Sequence, residues 1–420
     1  MTSETYSISS DRLAVLYRLS QTFNSTLDIN QVLNLVIDEV IAAFSAERGF
    51  IMLIDSRGGF EFRVARGLDK TDIDQPESQV SQSIVDSVLR DGEPILSCNV
   101  REDERFNQIE CVSLLGLLSV LCVPLKIKNN FLGVIYLDSR LQTCVFDEDD
   151  LELLTAIASN AAIAIENARL YRLAVQQGRL ERELQMAREV QMGLLPQTTP
   201  RLKNWEFASH WQPANEVSGD YYDFINIPDK GLGIVIADVT DKGMAAALFM
   251  AFIRSTIRAC LRYAATPASN LTCGNQLILE ESTNGMFVTL FYVLLDPRSG
   301  DITYVNAGHN PPFCYSKSTD SLFRLERTGM ALGVEENTAY TQATKTLLPG
   351  DFLLLFTDGL VDSHNEAGEA FGVERLEKTI FAHRADRAAV MVSAIKDALH
   401  EFTGNTPCYD DMTLIAVRRL

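Results

Sequence analysis

The chain has 420 residues, 46% of them hydrophobic, enough for two to three domains with cores of their own. Its 37 Lys and Arg against 56 Asp and Glu give a formal charge of −19. That balance argues against nonspecific nucleic-acid binding and adhesion to anionic membranes, and leaves room for a neutral or basic protein partner.

The start, Met1-Thr2-Ser3-Glu4-Thr5-Tyr6, lacks the charged and apolar regions of a signal peptide. No run reaches the roughly 20 apolar residues of a membrane span, so a cytoplasmic location is expected. The eight cysteines show no C-x-x-C pair or zinc spacing, and several lie in apolar runs such as Leu121-Cys122-Val123. Buried free thiols in a reducing cytosol are expected.

After a disordered start over 1–10, residues 11–170 read as a first unit. Helical patterns cover 11–24 and 28–45, strands 49–55 and 60–64, and a helix 80–90. Glu102-Asp103-Glu104-Arg105-Phe106 reads as a solvated acidic loop in preference to a ligand lid. Leu118 to Ile127 and Leu132 to Leu137 form a hairpin pattern turning at Asn129-Asn130. A last helix starts near Asp147 to Asp150, whose acids suit a helix N-terminus.

This order, with Gly133-Val134-Ile135-Tyr136-Leu137-Asp138 and Ala161-Ala162-Ile163-Ala164-Ile165-Glu166-Asn167-Ala168-Arg169-Leu170-Tyr171, resembles a GAF sensory domain. The resemblance implies an α+β fold that binds a small ligand in some members and only dimerises in others. The family's cyclic-nucleotide-linked pattern falls on Asp138-Ser139, Phe146 and Asp150-Leu151, where most of it is absent. Cyclic-nucleotide binding is not expected, and the ligand or partner of this domain is unknown.

One continuous helix is predicted from about 150 to 195, with 171–200 as the linker. Leu170, Leu173, Gln177, Leu180, Leu184, Ala187, Gln191 and Leu194 follow steps of three and four, the a/d seam of a coiled coil. Gln177, Gln191, Ala187 and Gly178 make the seam imperfect. The expectation is a homodimer whose seam carries a change of state from the first unit to the residues that follow, since two packings can differ by only a few kcal/mol; an inert rod is the alternative.

In 201–420, four aspartate motifs sit where strand-like runs end: Ser218-Gly219-Asp220, Ala237-Asp238-Val239, Thr357-Asp358-Gly359 and Asp410-Asp411-Met412-Thr413. The runs 231–237 and 352–356 deliver Asp238 and Asp358. Each aspartate alone reads as a helix cap or turn opener. Four together read as a site for hard divalent metals, which prefer oxygen ligands and keep several waters. Gly219 and Gly359 allow close backbone approach beside them.

The stretches Glu216-Val217-Ser218-Gly219-Asp220-Tyr221-Tyr222-Asp223, Ala237-Asp238-Val239-Thr240-Asp241-Lys242-Gly243, Asn306-Ala307-Gly308-His309-Asn310-Pro311-Pro312, Thr357-Asp358-Gly359 and Asp410-Asp411-Met412-Thr413 occur in order. They resemble the SpoIIE/RsbU branch of the PPM (type 2C) serine/threonine phosphatases, and the likeness extends to Ala187-Arg188-Glu189-Val190-Gln191 and Leu194-Leu195-Pro196.

The resemblance implies an α-β-β-α sandwich with two Mn²⁺ or Mg²⁺ ions at one end. By position, Asp238 would bridge the metals, the Val239 carbonyl would join the second, and Asp358 and Asp410 would complete the first, with Asp220 in or next to the coordination shell of the second metal. A metal-bound hydroxide would then attack phosphorus in line, with no phosphoenzyme. The implied substrate is a phosphorylated STAS-domain antagonist of an anti-sigma factor, released by dephosphorylation to bind its kinase partner.

Asp241 and Asp362 stand where many relatives have Gly and Glu, and Lys242 stands where animal type 2C enzymes have His, so the general acid is unassigned. Lys242 reads equally as a phosphate binder or a solvated lysine, and His309 as structural. Two rival functions are a noncatalytic GAF and coiled-coil scaffold with a docking phosphatase fold, and a phosphohydrolase of small esters.

Overall fold

The computed structural model describes residues 14, 16–19, 21, 28–55, 59–106, 114–263, 266–282 and 285–420, with backbone alone at 262 and 263. The chain divides into two compact units, Met1–Arg179 and Leu180–Leu420.

The first unit runs α1 (Ile29–Phe44), β1 (Arg48–Ile54), β2 (Phe60–Gly67), α2 (Gln82–Asp91), β3 (Ile95–Ser97), β4 (Ser119–Ile127), β5 (Asn130–Ser139) and the start of α3 (Glu148–Leu194). Its antiparallel sheet has the order β2-β1-β5-β4-β3. Ile29, Val32, Leu33, Val36, Ile37, Val40, Ile41 and Phe44 of α1 recur at helical spacing and are buried, packing with Leu154, Ile157, Ala161 and Ile165 of α3. Ile84, Val85 and Val88 of α2 pack with Phe50 and Tyr136, in a separate cluster from Ile51 and Ile135, as strand alternation requires. Arg48 and Asp138, both buried, form a two-pronged ion pair at 2.7 and 2.5 Å.

The helices and strands of this unit fall within a few residues of their predicted positions, with instructive differences. Ile127 pairs with Asn130, so the hairpin turns on Lys128-Asn129 rather than Asn129-Asn130, and Lys128 takes a left-handed φ of 55°. Asp147 and Asp150 accept each other's backbone N–H at 2.9 and 3.1 Å, a reciprocal cap that starts α3. Asp103 is tied to Ser97 and Arg105, and Phe106 is buried, so the acidic loop is anchored. Residues 14, 16–19 and 21 are helical; the rest of 11–24, and all of 1–10, lie outside the described residues.

The expectation of free thiols is corrected at one pair: Cys98 and Cys144 form a disulfide. The Cys144 N–H donates to the Cys98 carbonyl at 2.7 Å, which brings the end of β3 beside the approach to α3. Cys122, Cys260 and Cys314 are buried and free; Cys111 lies outside the described residues.

The second unit continues with β6 (Trp205–Gln212), β7 (Tyr221–Ile227), β8 (Gly231–Val239), α4 (Met244–Tyr263), α5 (Pro267–Glu281), β9 (Val288–Leu295), β10 (Asp301–Ala307), β11 (Phe313–Ser316) and β12 (Ser321–Arg324). Then come β13 (Ala343–Thr346), β14 (Phe352–Phe356), the single turn α6 (Asp358–Val361), α7 (Gly372–Ala382), α8 (Ala388–Thr403) and β15 (Met412–Arg419). Two antiparallel five-stranded sheets, β13-β10-β9-β8-β7 and β12-β11-β14-β15-β6, lie face to face. Leu353 and Leu355 of β14 enter the core between them, whereas Phe352, Leu354 and Phe356 pack on α7 and α8. Helices α4 and α5 cover the other sheet, which completes the α-β-β-α order.

Helix α4 carries a long apolar stretch broken by Arg254 and Arg258. Its 18-residue stretch Met244–Leu261 has a mean hydropathy of 1.5, long and apolar enough by composition to cross a membrane. Ala246, Met250, Ile253, Ile257 and Leu261 of that stretch belong to the buried core. Asp223 on β7 takes a two-pronged ion pair from Arg258 of α4 at 2.6 and 2.8 Å and a hydrogen bond from Tyr221.

Candidate metal centre

The strand register puts all four aspartates at one end of the sandwich. Tyr221 pairs with Ala237, so the start of β7, just after Asp220, meets the end of β8, which carries Asp238. Phe356 pairs with Leu414, so Asp358, beyond β14, meets Asp410, ahead of β15. The two sheets meet at Asp220, whose Oδ2 accepts the Thr357 and Thr413 hydroxyls at 2.8 and 2.5 Å.

Glycine makes the approach possible. A Cβ on Gly359 would lie 2.1 Å from the Asp411 carbonyl oxygen, and one on Gly219 would lie 3.2 Å from the Val239 carbonyl oxygen. The carbonyl expected to join the metal shell therefore faces the backbone that leads into Asp220.

Several supporting residues carried no role in the sequence reading. Asp411, the second acid of its pair, accepts the Ala214 and Gly219 N–H groups, each at 2.8 Å, and so holds the loop that carries Asp220. Gln191, read as a flaw in the coiled-coil seam, is buried: its amide donates to the Ser218 carbonyl at 2.7 Å and accepts the Ser218 N–H at 3.0 Å. The Ser218 hydroxyl in turn accepts the Asp220 N–H. His309 is buried behind the site against Thr289 at 2.9 Å, and burial lowers its pKa to about 3, so it stays neutral. That fits the structural reading of this residue.

The electrostatics call for cations. Burial, then Asp358, Asp410 and Asp411, raise the Asp238 pKa to about 8, and Lys242 offsets part of the rise. Burial raises Asp220 well above the carboxylate range, with Asp238 and Asp411 adding to it. Burial and Asp410 raise Asp358. Asp220 Oδ1 is buried with no hydrogen-bond partner, an orphaned acceptor of the kind a bound ion satisfies.

An all-oxygen donor set with one orphaned carboxylate oxygen suits Mg²⁺ or Mn²⁺. Among the described residues no three His, Cys, Asp or Glu side chains already surround one point at ligand distance. Asp220 Oδ2 is engaged by two hydroxyls and Asp410 Oδ2 by Lys242.

A family model described as Stage II sporulation protein E (SpoIIE) matches residues 228–420, which include Asp238, Asp358 and Asp410, and a GAF domain model matches 26–166. The chain is 33% identical over 245 residues to phosphoserine phosphatase RsbU of Bacillus subtilis, covering 58% of this chain and 72% of that protein. It is 33% identical over 264 residues to protein IcfG of Synechocystis, covering 56% of this chain and 41% of that one, so it spans less than half of that relative. The SiaA-PP2C domain of Pseudomonas aeruginosa shares the fold, with a TM-score of 0.53 at 23% identity over 58% of this chain and 99% of that domain. The chain belongs to the SpoIIE/RsbU family of PP2C-type serine/threonine phosphatases and carries an N-terminal GAF domain.

Proposed function

We propose that the chain is a phosphoserine/phosphothreonine protein phosphatase using two Mn²⁺ or Mg²⁺ ions. Its proposed substrate is a phosphorylated STAS-domain antagonist of an anti-sigma factor. The observation that carries the reading is the meeting of Asp220, Asp238, Asp358 and Asp410 at one end of the sandwich, with Asp220 Oδ1 orphaned.

Asp238, Asp358, Asp410 and the Val239 carbonyl would hold the ions, with Asp220 in or beside the set. Bound there, such ions lower the pKa of water and offset charge building on a phosphoryl group. Thr357, Thr413 and Asp411 fix the position of Asp220 and its loop, so that little reorganisation accompanies reaction.

The regulatory part of the proposal runs through α3. Leu170, Leu173 and Leu180 of the seam are each more than half exposed, an unpartnered stripe that suits a second copy of the chain. Gln191, further along the same helix, grips the backbone two residues before Asp220. A change in the register of α3 would therefore reach the site.

Rates on a phosphoserine protein, a phosphopeptide and free nucleotides test the substrate class. Faster turnover of the phosphoprotein supports the proposal, while a preference for nucleotides favours the small-ester enzyme. No turnover and no metal binding would leave the docking scaffold.

A further inference from the structure

The turn from β8 into α4 contains Asp241-Lys242-Gly243, with Asp241 and Gly243 both in the left-handed region at φ 70° and 76°. Between them Lys242 reaches back to the carboxylates. Its Nζ lies 3.0 Å from Asp410 Oδ2, donates to the Tyr409 carbonyl at 2.8 Å, and sits 4.1 Å from the centre of the Tyr409 ring. The side chain remains 41% exposed. A lysine that merely faced water beside a helix start would make none of these contacts.

Two features suit this lysine to a second role. A divalent ion at Asp410 would repel an ammonium bonded to the same carboxylate, and the flexible four-carbon stem lets that ammonium turn away. Asp410 would stay oriented, because its Oδ1 accepts the Asp411 N–H at 2.9 Å. A phosphate ester entering a nest of aspartates needs positive charge at its outer oxygens, and lysine binds phosphate as a point charge.

We propose that Lys242 binds the phosphoryl oxygens of the substrate, its ammonium turning from Asp410 to the phosphate when a divalent ion is bound to that carboxylate. This rests on the phosphatase reading of the site.

The test uses the full chain, with Lys242→Met to keep the stem without the charge and Lys242→Arg to keep the charge. Calorimetry gives the affinity for Mn²⁺, then for inorganic phosphate in the presence of Mn²⁺, and p-nitrophenyl phosphate gives kcat and KM. Lys242→Met should bind Mn²⁺ at least as tightly as the parent, because a competing cation is gone. Its phosphate affinity should fall, and its KM rise, by roughly 10- to 100-fold, the loss of one charge-assisted contact. Lys242→Arg should recover most of the phosphate affinity.

Unchanged phosphate affinity and KM in Lys242→Met would overturn the proposal. So would a parallel fall in Mn²⁺ affinity, which would make Lys242 a prop of the metal site. A parent protein that binds phosphate without turning over any ester would strike the phosphatase reading, and the calorimetry would still decide the role of Lys242.

Discussion

Replacing Gln191 by alanine removes both hydrogen bonds that its amide makes to Ser218, at 2.7 and 3.0 Å, inside a region where Gln191 and Ser218 are both buried. The change leaves one backbone N–H and one carbonyl without partners, at about 1 to 3 kcal/mol each. A loss of about 3 kcal/mol is expected for the phosphatase unit. With a urea slope of about 2 to 3 kcal/mol per molar, the unfolding midpoint should fall by about 1 M. Both tryptophans of the chain, Trp205 and Trp211, lie on β6, so their fluorescence follows that unit and not the GAF domain. Because Ser218 also accepts the Asp220 N–H, phosphate release should fall at urea concentrations well below the transition. An unchanged midpoint with unchanged turnover would refute the claim that α3 is fastened to the site through this amide.

Polar substitution of Leu180 and Leu184 should shift the chain from dimer to monomer in sedimentation and change its basal activity; monomers with unaltered, unregulated activity would sink the switching idea. Gly359→Ala places a methyl 2.1 Å from the Asp411 carbonyl, so the backbone must move; thermal denaturation should show a lower Tm, and Mn²⁺ affinity by calorimetry should weaken at least tenfold. Burial lowers the pKa of His309 from 6.5 to about 3, so the unfolded chain takes up a proton that the folded one refuses. Its contribution to stability is complete above pH 6.5 and is lost as pH falls toward 3, amounting to about 2 to 3 kcal/mol by pH 4.5. The tryptophan-detected urea midpoint should show that fall, and His309→Gln should flatten it.

What could be read from the chain before its structure follows from what is local. Apolar spacing is set by neighbours three, four or two residues away, so α1, α2, α3 and the strands delivering Asp238 and Asp358 were legible. The aspartates stood out because each stands at the edge of a strand-like run. Thr357 and Thr413 did not, because their partner Asp220 is 137 and 193 residues distant and a hydroxyl next to an acid carries no spacing signal. Gln191 was misleading for a related reason: helical periodicity records a polar residue on the seam but not the point at which the helix enters another core. The Cys98–Cys144 pair, 46 residues apart, likewise has no motif to announce it. The adjacency of Asp411 to Asp410 was visible, and its work of holding the loop of Asp220 was not, since that depends on which backbone N–H groups the fold turns toward it.

The central claim is that these aspartates form a metal-dependent phosphatase site. Its most direct measurement is phosphate release from a phosphoserine protein with Mn²⁺, Mg²⁺ or EDTA, for the parent and for Asp238→Asn and Asp358→Asn. Turnover that needs the divalent ion and is lost in both variants is the expected result. Turnover that survives EDTA, or that persists in either variant, would contradict it.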